Sequence, residues 1–469
     1  MSAIGRPAAR FARPVVQGNE LSTAVIAVGA VLLAVGGLAF LVSPKFGAAA
    51  LGLPALPLLV MYPAHALLGF VAAMQFDAVA ALLPDRTLTL TRLLGVAVIG
   101  GWAVWVLVNR VRVRLTGAGM LLGAYVTFAG LSYFWADNQE ATADQLRTLG
   151  QLFLLYVLTA NLMTDLPTLE RALNVLIAST AVLGVLVVWQ LRGAGDLARG
   201  TFTYGDQSFD ANFLAGTLVL PAVAAAALGR GRGAFGWWRP VALAVIVAAI
   251  VASGSRGGVV GLVAGLAVLV LARPNVGVKA LGALVLLAMA APLVMPVSVF
   301  DHLVTRLGET GADRLSGRLD IWKVAVEMIS DRPFRGTGFA CFQDAFYAYM
   351  GNAGVDPLWA LHNFRGMRVA HNVYLGTLAE LGVVGLGILL LSLASHGAGA
   401  LAAWRRHREH GDPRVAALAL ALLCALVSFL VFANSVDFMT RKTPWVMLGM
   451  LQGLILATTA RPGQGALRR

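Results

Sequence analysis

The chain has 469 residues, of which 58% are hydrophobic and only 13% charged. A soluble domain carries about a quarter charged residues, so the composition excludes an ordinary water-soluble enzyme and defines an integral membrane protein. Lys and Arg exceed Asp and Glu by 36 − 23 = 13, a surplus that in a membrane protein is first sought in cytoplasmic loops and only then on a nucleic-acid surface.

A helix needs about 20 mainly apolar residues to cross the hydrocarbon core. Apolar runs predict spans near 22–43, 48–64, 66–83, 92–109, 115–134, 149–163, 171–191, 211–228, 241–254, 257–272, 280–297, 372–394, 415–433 and 444–460. The second and third are interrupted by Pro54, Pro57 and Pro63, so the count is 12–14 and the fold class all-α, polytopic, with one large outside loop. Placing both termini in the cytoplasm puts 19 basic residues in short inside loops and tails, against nine in short outside loops. That is the positive-inside bias, and it leaves no surplus that calls for nucleic acid. Three parts follow: N-terminal transmembrane helices (1–297), the large loop, read as a lid (298–370), and C-terminal transmembrane helices (371–469). The lid is neutral, with eight basic and eight acidic residues. Within it, Arg318–Ser330 has helical periodicity ended by Asp331, Arg332 and Pro333, and a second short helix fits Phe342–Met350. Cys341 and Cys424, in a polar stretch and in an apolar run, suggest neither a disulfide nor a metal site.

Outside arginines near membrane helices cost energy unless each has an anion or a wet cavity. Arg199 precedes the helix expected from 211. Arg256 sits in "GSRGG", where the small neighbours Gly254, Ser255, Gly257 and Gly258 admit a bulky ligand to the backbone. Two guanidinium forks can grip a diphosphate without a metal. The competing reading has each snorkelling from a helix end or paired with a carboxylate. His371 stands where the chain re-enters the membrane. A helix N-terminus there favours neutral imidazole, the form that takes a proton from an attacking hydroxyl, although a histidine at a helix start is also an ordinary cap. His362 is the competing candidate. No Asp-x-Asp, Lys-bearing phosphate loop or His-x-x-x-His spacing lies in the outside segments.

Taken in order, "RGTF…DANFLA", "GSRGG", "SGRLDIWKVAVEMISDRPFRGTGF" and "HNVYLGTLAELGVVGL" resemble the bacterial O-antigen ligase/polymerase superfamily over residues 199–390. The resemblance implies a metal-independent, inverting membrane glycosyltransferase with no cofactor, in the bacterial inner membrane, with its site facing the periplasm. Its donor would be a glycan on undecaprenyl diphosphate, and its acceptor a lipid A core sugar in a ligase or a second lipid-linked glycan in a polymerase. The family's pattern of two arginines and a histidine carries over to Arg199 and Arg256 for the diphosphate and His371 as base. Arg192 is the alternative to Arg199, because "TYGDQSFDAN" is longer than the family's compact Pro-Asn segment and lacks the proline. Arg318, Arg335 and Asn372 are secondary candidates, and Trp322 is read as lid core. Transfer to a protein hydroxyl, or transport of a lipid-linked glycan, are the remaining readings.

Overall fold

The computed structural model describes residues 60–79, 89–192, 203–204, 207–208, 210–231, 234–276, 278–279, 282, 318–355, 369–437 and 439–459. Its main helices are α1 (Pro63–Ala73), α2 (Leu90–Asn109), α3 (Gly117–Leu131), α4 (Gln139–Leu162), α5 (Leu166–Arg192) and α6 (Ala211–Leu228). They continue with α7 (Trp238–Ala252), α8 (Arg256–Ala272), α9 (Arg318–Asp331), α10 (Phe342–Tyr349), α11 (Val373–His410), α12 (Pro413–Phe432) and α13 (Lys442–Thr459). A two-residue hairpin pairs Thr203–Tyr204 with Gln207–Ser208 ahead of α6. Among the described residues seven helices are long and apolar enough to cross a membrane, with α8 a shorter apolar helix. The protein is an all-α polytopic membrane protein. The expected span 22–43, all of 280–297 but residue 282, and most of 48–64 lie outside the described residues.

The chain divides into two compact units, residues 1–67 with 92–113 and residues 68–91 with 114–469. The described part of the first consists of the start of α1 and most of α2, whose Val96, Val104, Leu107 and Val108 are exposed, as suits a helix that faces lipid. In the second unit α6 and α12 are the most enclosed spans. Close approach is built from small residues, as is usual where helices cannot gain hydrophobic energy by leaving lipid. Gly257, Gly261 and Gly265 form one face of α8. A Cβ on Gly261 would sit 3.1 Å from Phe432 Cβ, and one on Gly265 2.5 Å from Ser428 Oγ, both on α12. Ser428 Oγ donates to the Gly261 carbonyl.

Two helices exceed the hydropathy reading. α4 begins at Gln139, capped by Asn138, whose side chain accepts from Ala141 N; its polar first turns escape a hydropathy scan. α11 runs 38 residues, with a break at Gly382 (φ 64°, ψ −172°). That break exposes backbone groups which the chain leaving α9 satisfies. Val383 N donates to the Pro333 carbonyl at 2.8 Å, Thr337 N to Ala379 O at 3.0 Å and Gly338 N to Glu380 O at 2.9 Å. Phe342 N, at the start of α10, donates to Glu380 Oε1 at 3.2 Å. Non-helical backbone at membrane depth is tolerated where protein supplies such partners. The fit leaves no room for side chains: a Cβ on Gly336 would lie 2.3 Å from the Glu380 carbonyl, and one on Gly382 2.2 Å from that of Phe334.

Helices α9 and α10 have the bounds read from sequence to within a residue. Ile321, Val324, Ala325 and Met328 of α9 share a core with Phe342, Ala345, Phe346, Ala370 and Ala379, with Trp322 partly buried against it. Trp322 Nε1 donates to the Ala370 carbonyl at 2.9 Å, tying α9 to the residue before His371.

Candidate functional site at the starts of three membrane helices

The starts of α6, α8 and α11 are each built by a polar cap. Asp210 Oδ1 accepts from Asn212 N at 2.9 Å and Phe213 N at 3.2 Å. Ser255 Oγ accepts from Gly258 N at 3.3 Å, and Asn372 Oδ1 accepts from Tyr374 N at 2.9 Å and Leu375 N at 3.1 Å. Each satisfies amide groups that a helix start otherwise leaves without partners.

Side-chain and backbone contacts bring these starts together. Ser255 Oγ donates to Asn212 Oδ1 at 3.1 Å, joining α8 to α6. Val373 N donates to the Ala433 carbonyl at 2.8 Å, and Tyr374 Oη to Leu430 O at 2.6 Å, so α11 begins against the end of α12. The turn that follows α12 also meets α8, since a Cβ on Gly257 would lie 2.4 Å from Ser435 Oγ.

His371 stands just before the Asn372 cap with φ 50°. A left-handed conformation costs a non-glycine residue about 1–2 kcal/mol, and such residues cluster at functional sites. Its Nδ1 is buried and makes no hydrogen bond among the described residues. Burial pulls the imidazole pKa below its ordinary value, the Arg318 charge lowers it further, and Asp210 opposes both. The ring is therefore held neutral beside one cation from the lid and one carboxylate from the α6 cap.

Of the residues singled out in the sequence, Arg256 occupies the first position of α8 and is half-buried, Arg318 opens α9, and Asn372 is the α11 cap. Arg335 is exposed on the segment that fastens to α11, and its carbonyl accepts from Trp135 Nε1 at 3.1 Å. Arg192 ends α5, while Arg199 and His362 lie outside the described residues. His396 is fully buried within α11, its Nε2 3.0 Å from Tyr156 Oη and its Nδ1 2.8 Å from the Ser392 carbonyl, a satisfied structural pair. One residue escaped the sequence reading. Arg441, on the turn between α12 and α13, places its Cζ 4.0 Å from the centroid of the Phe213 ring and interacts with the half-buried Asp437, whose carboxyl is pushed up by desolvation while Arg441 opposes the rise. Its signal was available, because it is one of few arginines expected outside and it stands at a helix start. Among the described residues no three His, Cys, Asp or Glu side chains cluster in a way that would hold a metal ion.

The fold and site together are those of a multi-pass membrane protein in which helix starts and a neutral histidine meet, with α9 packed against the residue before that histidine. Residues 241–391, which include Arg256, α9, α10 and His371, match the family model described as O-Antigen ligase. An O-antigen ligase of Pseudomonas aeruginosa is 27% identical over 375 residues, covering 76% of this chain and 81% of the relative. Over residues 241–391 the chain is therefore similar to the O-antigen ligase family. A solved structure described as "Structural coordination of polymerization and crosslinking by a peptidoglycan synthase complex" is 20% identical and covers 74% of this chain and 98% of its own, with a TM-score of 0.39.

Proposed function

We propose that the protein is an inverting glycosyltransferase of the inner membrane that moves a glycan from undecaprenyl diphosphate to a hydroxyl of the lipid A core at the periplasmic face. His371 accepts the proton of the acceptor hydroxyl as its oxygen bonds to the sugar's anomeric carbon from the face opposite the leaving group. The bond from that carbon to the phosphate oxygen breaks, and undecaprenyl diphosphate departs with one more negative charge than it carried as an ester. Arg256 and Arg199 stabilise that charge in a site of low dielectric, where fixed donors act most strongly. Residues 298–370 form the lid, from which Arg318 holds glycan or phosphate, and Asn372 fixes the turn that presents the imidazole.

The observation that carries this reading is the half-buried His371 ring, kept neutral, with a buried Nδ1 that lacks a hydrogen bond among the described residues, within the field of Arg318 and Asp210. A histidine that served only as a cap would have its ring nitrogens satisfied. Purified protein in proteoliposomes, given undecaprenyl-diphosphate glycan and lipid A core, is expected to form the ligated product with no ion gradient. His371→Ala is expected to abolish it while remaining folded. Chain extension of the lipid-linked glycan without the core acceptor identifies a repeat-unit polymerase. Translocation with no new glycosidic bond identifies a transporter and rules the enzyme out.

A further inference from the structure

We infer that Arg441 is a third cation of the donor site and contacts the lipid diphosphate, with Asp437 and Phe213 as its positioning residues. The inference rests on the glycan-transfer reading above. Its ground is the position of the α12–α13 turn, which touches two of the helix starts and sends a side chain to the third. Ala433 O takes the first amide of α11, Ser435 packs on Gly257 beside Arg256, and Arg441 stacks on Phe213 in the first turn of α6. Phe213 follows Asn212, which Ser255 ties to the α8 start. Arg441 thus shares with Arg256 a wall made of the α6 and α8 first turns. It reaches that wall from a separate element whose own carboxylate, Asp437, acts on the guanidinium.

A guanidinium at a membrane-helix end that only snorkelled would extend to open water, whereas Arg441 is half-buried and turned onto an aromatic ring of the α6 start. The contact with Phe213 and the charge of Asp437 hold the guanidinium at this wall, where its planar fork can form two parallel bonds to phosphate oxygens. Lysine carries the same charge without that geometry. The leaving diphosphate gains a negative charge as the glycosyl bond breaks, and a cation added to the two already assigned stabilises it at that moment.

The test is a binding titration with protein in nanodiscs, using undecaprenyl diphosphate and undecaprenyl monophosphate as probes, together with melting temperatures. Arg441→Lys is expected to melt with wild type, bind the diphosphate about tenfold more weakly, and bind the monophosphate within about twofold of wild type. Asp437→Asn is expected to weaken diphosphate binding in the same direction. Arg441→Ala is expected to lose more; should it fail to fold, the lysine variant decides. Wild-type affinity for the diphosphate in a folded Arg441→Lys protein overturns the assignment and leaves a structural ion pair. Failure of wild type to bind undecaprenyl diphosphate overturns the donor reading itself, and this assignment with it.

Discussion

Replacing Gly382 with alanine probes the break in α11 most directly. With φ 64° and ψ −172°, Gly382 occupies a region of backbone space that is essentially glycine's alone, and forcing another residue there costs about 1–3 kcal/mol. The new Cβ would lie 2.2 Å from the Phe334 carbonyl carbon, 2.3 Å from its oxygen and 2.5 Å from Arg335 N, all backbone, so the segment leaving α9 must move. Three hydrogen bonds then open: Val383 N to Pro333 O, Thr337 N to Ala379 O and Gly338 N to Glu380 O. Each contributes about 0.5–1.5 kcal/mol net. Strain and lost bonds together predict a destabilisation of about 2.5–7.5 kcal/mol. Gly387 is the control, since a Cβ there meets nothing within 4 Å; Gly387→Ala is expected to be neutral or to gain up to about 1 kcal/mol from helix propensity. Unfolding in detergent micelles, followed by tryptophan fluorescence, measures both. Equal stability of the two variants would refute the argument that the segment leaving α9 is seated on the break.

Further outcomes follow from the site. With the His371 pKa lowered by burial and by Arg318, kcat/KM for transfer is expected to hold down to pH values below the ordinary histidine range near 6.5 and to fall below that. Arg318→Gln moves the acid limb up and Asp210→Asn moves it down, because Arg318 lowers the pKa and Asp210 raises it. Since the unfolded chain takes up this proton first, the neutral ring's contribution to stability is complete above about pH 6.5 and is lost as pH falls through the lowered folded-state value, which denaturant titrations at several pH values will register. Asn372→Ala removes both cap bonds of α11 and is expected to cost about 1 kcal/mol in unfolding assays, with Asn372→Asp restoring the stability. Trp322→Phe deletes the bond to the Ala370 carbonyl; calorimetry is expected to show a loss of about 1 kcal/mol, and transfer assays a lower kcat.

Hydropathy found the membrane helices because the hydrocarbon core demands an uninterrupted apolar run of about 20 residues, far longer than a buried strand or a short core helix needs. It placed α6 at its observed bounds, Ala211–Leu228, since Asp210 and Gly229 punctuate both ends. Where polar turns extend a helix beyond the apolar run, as at Gln139–Thr148 of α4 or at Ala402–His410 of α11, composition reads loop although the backbone stays helical. The Gly382 break was invisible for another reason. Glycine is common in membrane helices, and Gly376, Gly382, Gly385 and Gly387 look alike along α11 until a backbone from elsewhere is seen against one of them. Among the candidate residues, the positions of Arg256, His371 and Asn372 at helix starts were legible because small, basic and capping residues marked those starts. Arg441 carried the same mark of an outside arginine at a helix start, but its contact with Phe213, from distant sequence, was not legible, because only tertiary packing brings the two together.

The seating on α11 of the segment leaving α9 also governs where the protein can change in length. Pro333 meets Val383 on one side of the break, and Thr337 and Gly338 meet Ala379 and Glu380 on the other, so the spacing between Pro333 and Thr337 is fixed by α11. An insertion or deletion between residues 333 and 337 lets only one of the two sets of bonds form. Added length between α9 and α11 must therefore be accommodated outside this stretch, and an engineer placing a reporter or affinity tag faces the same boundary.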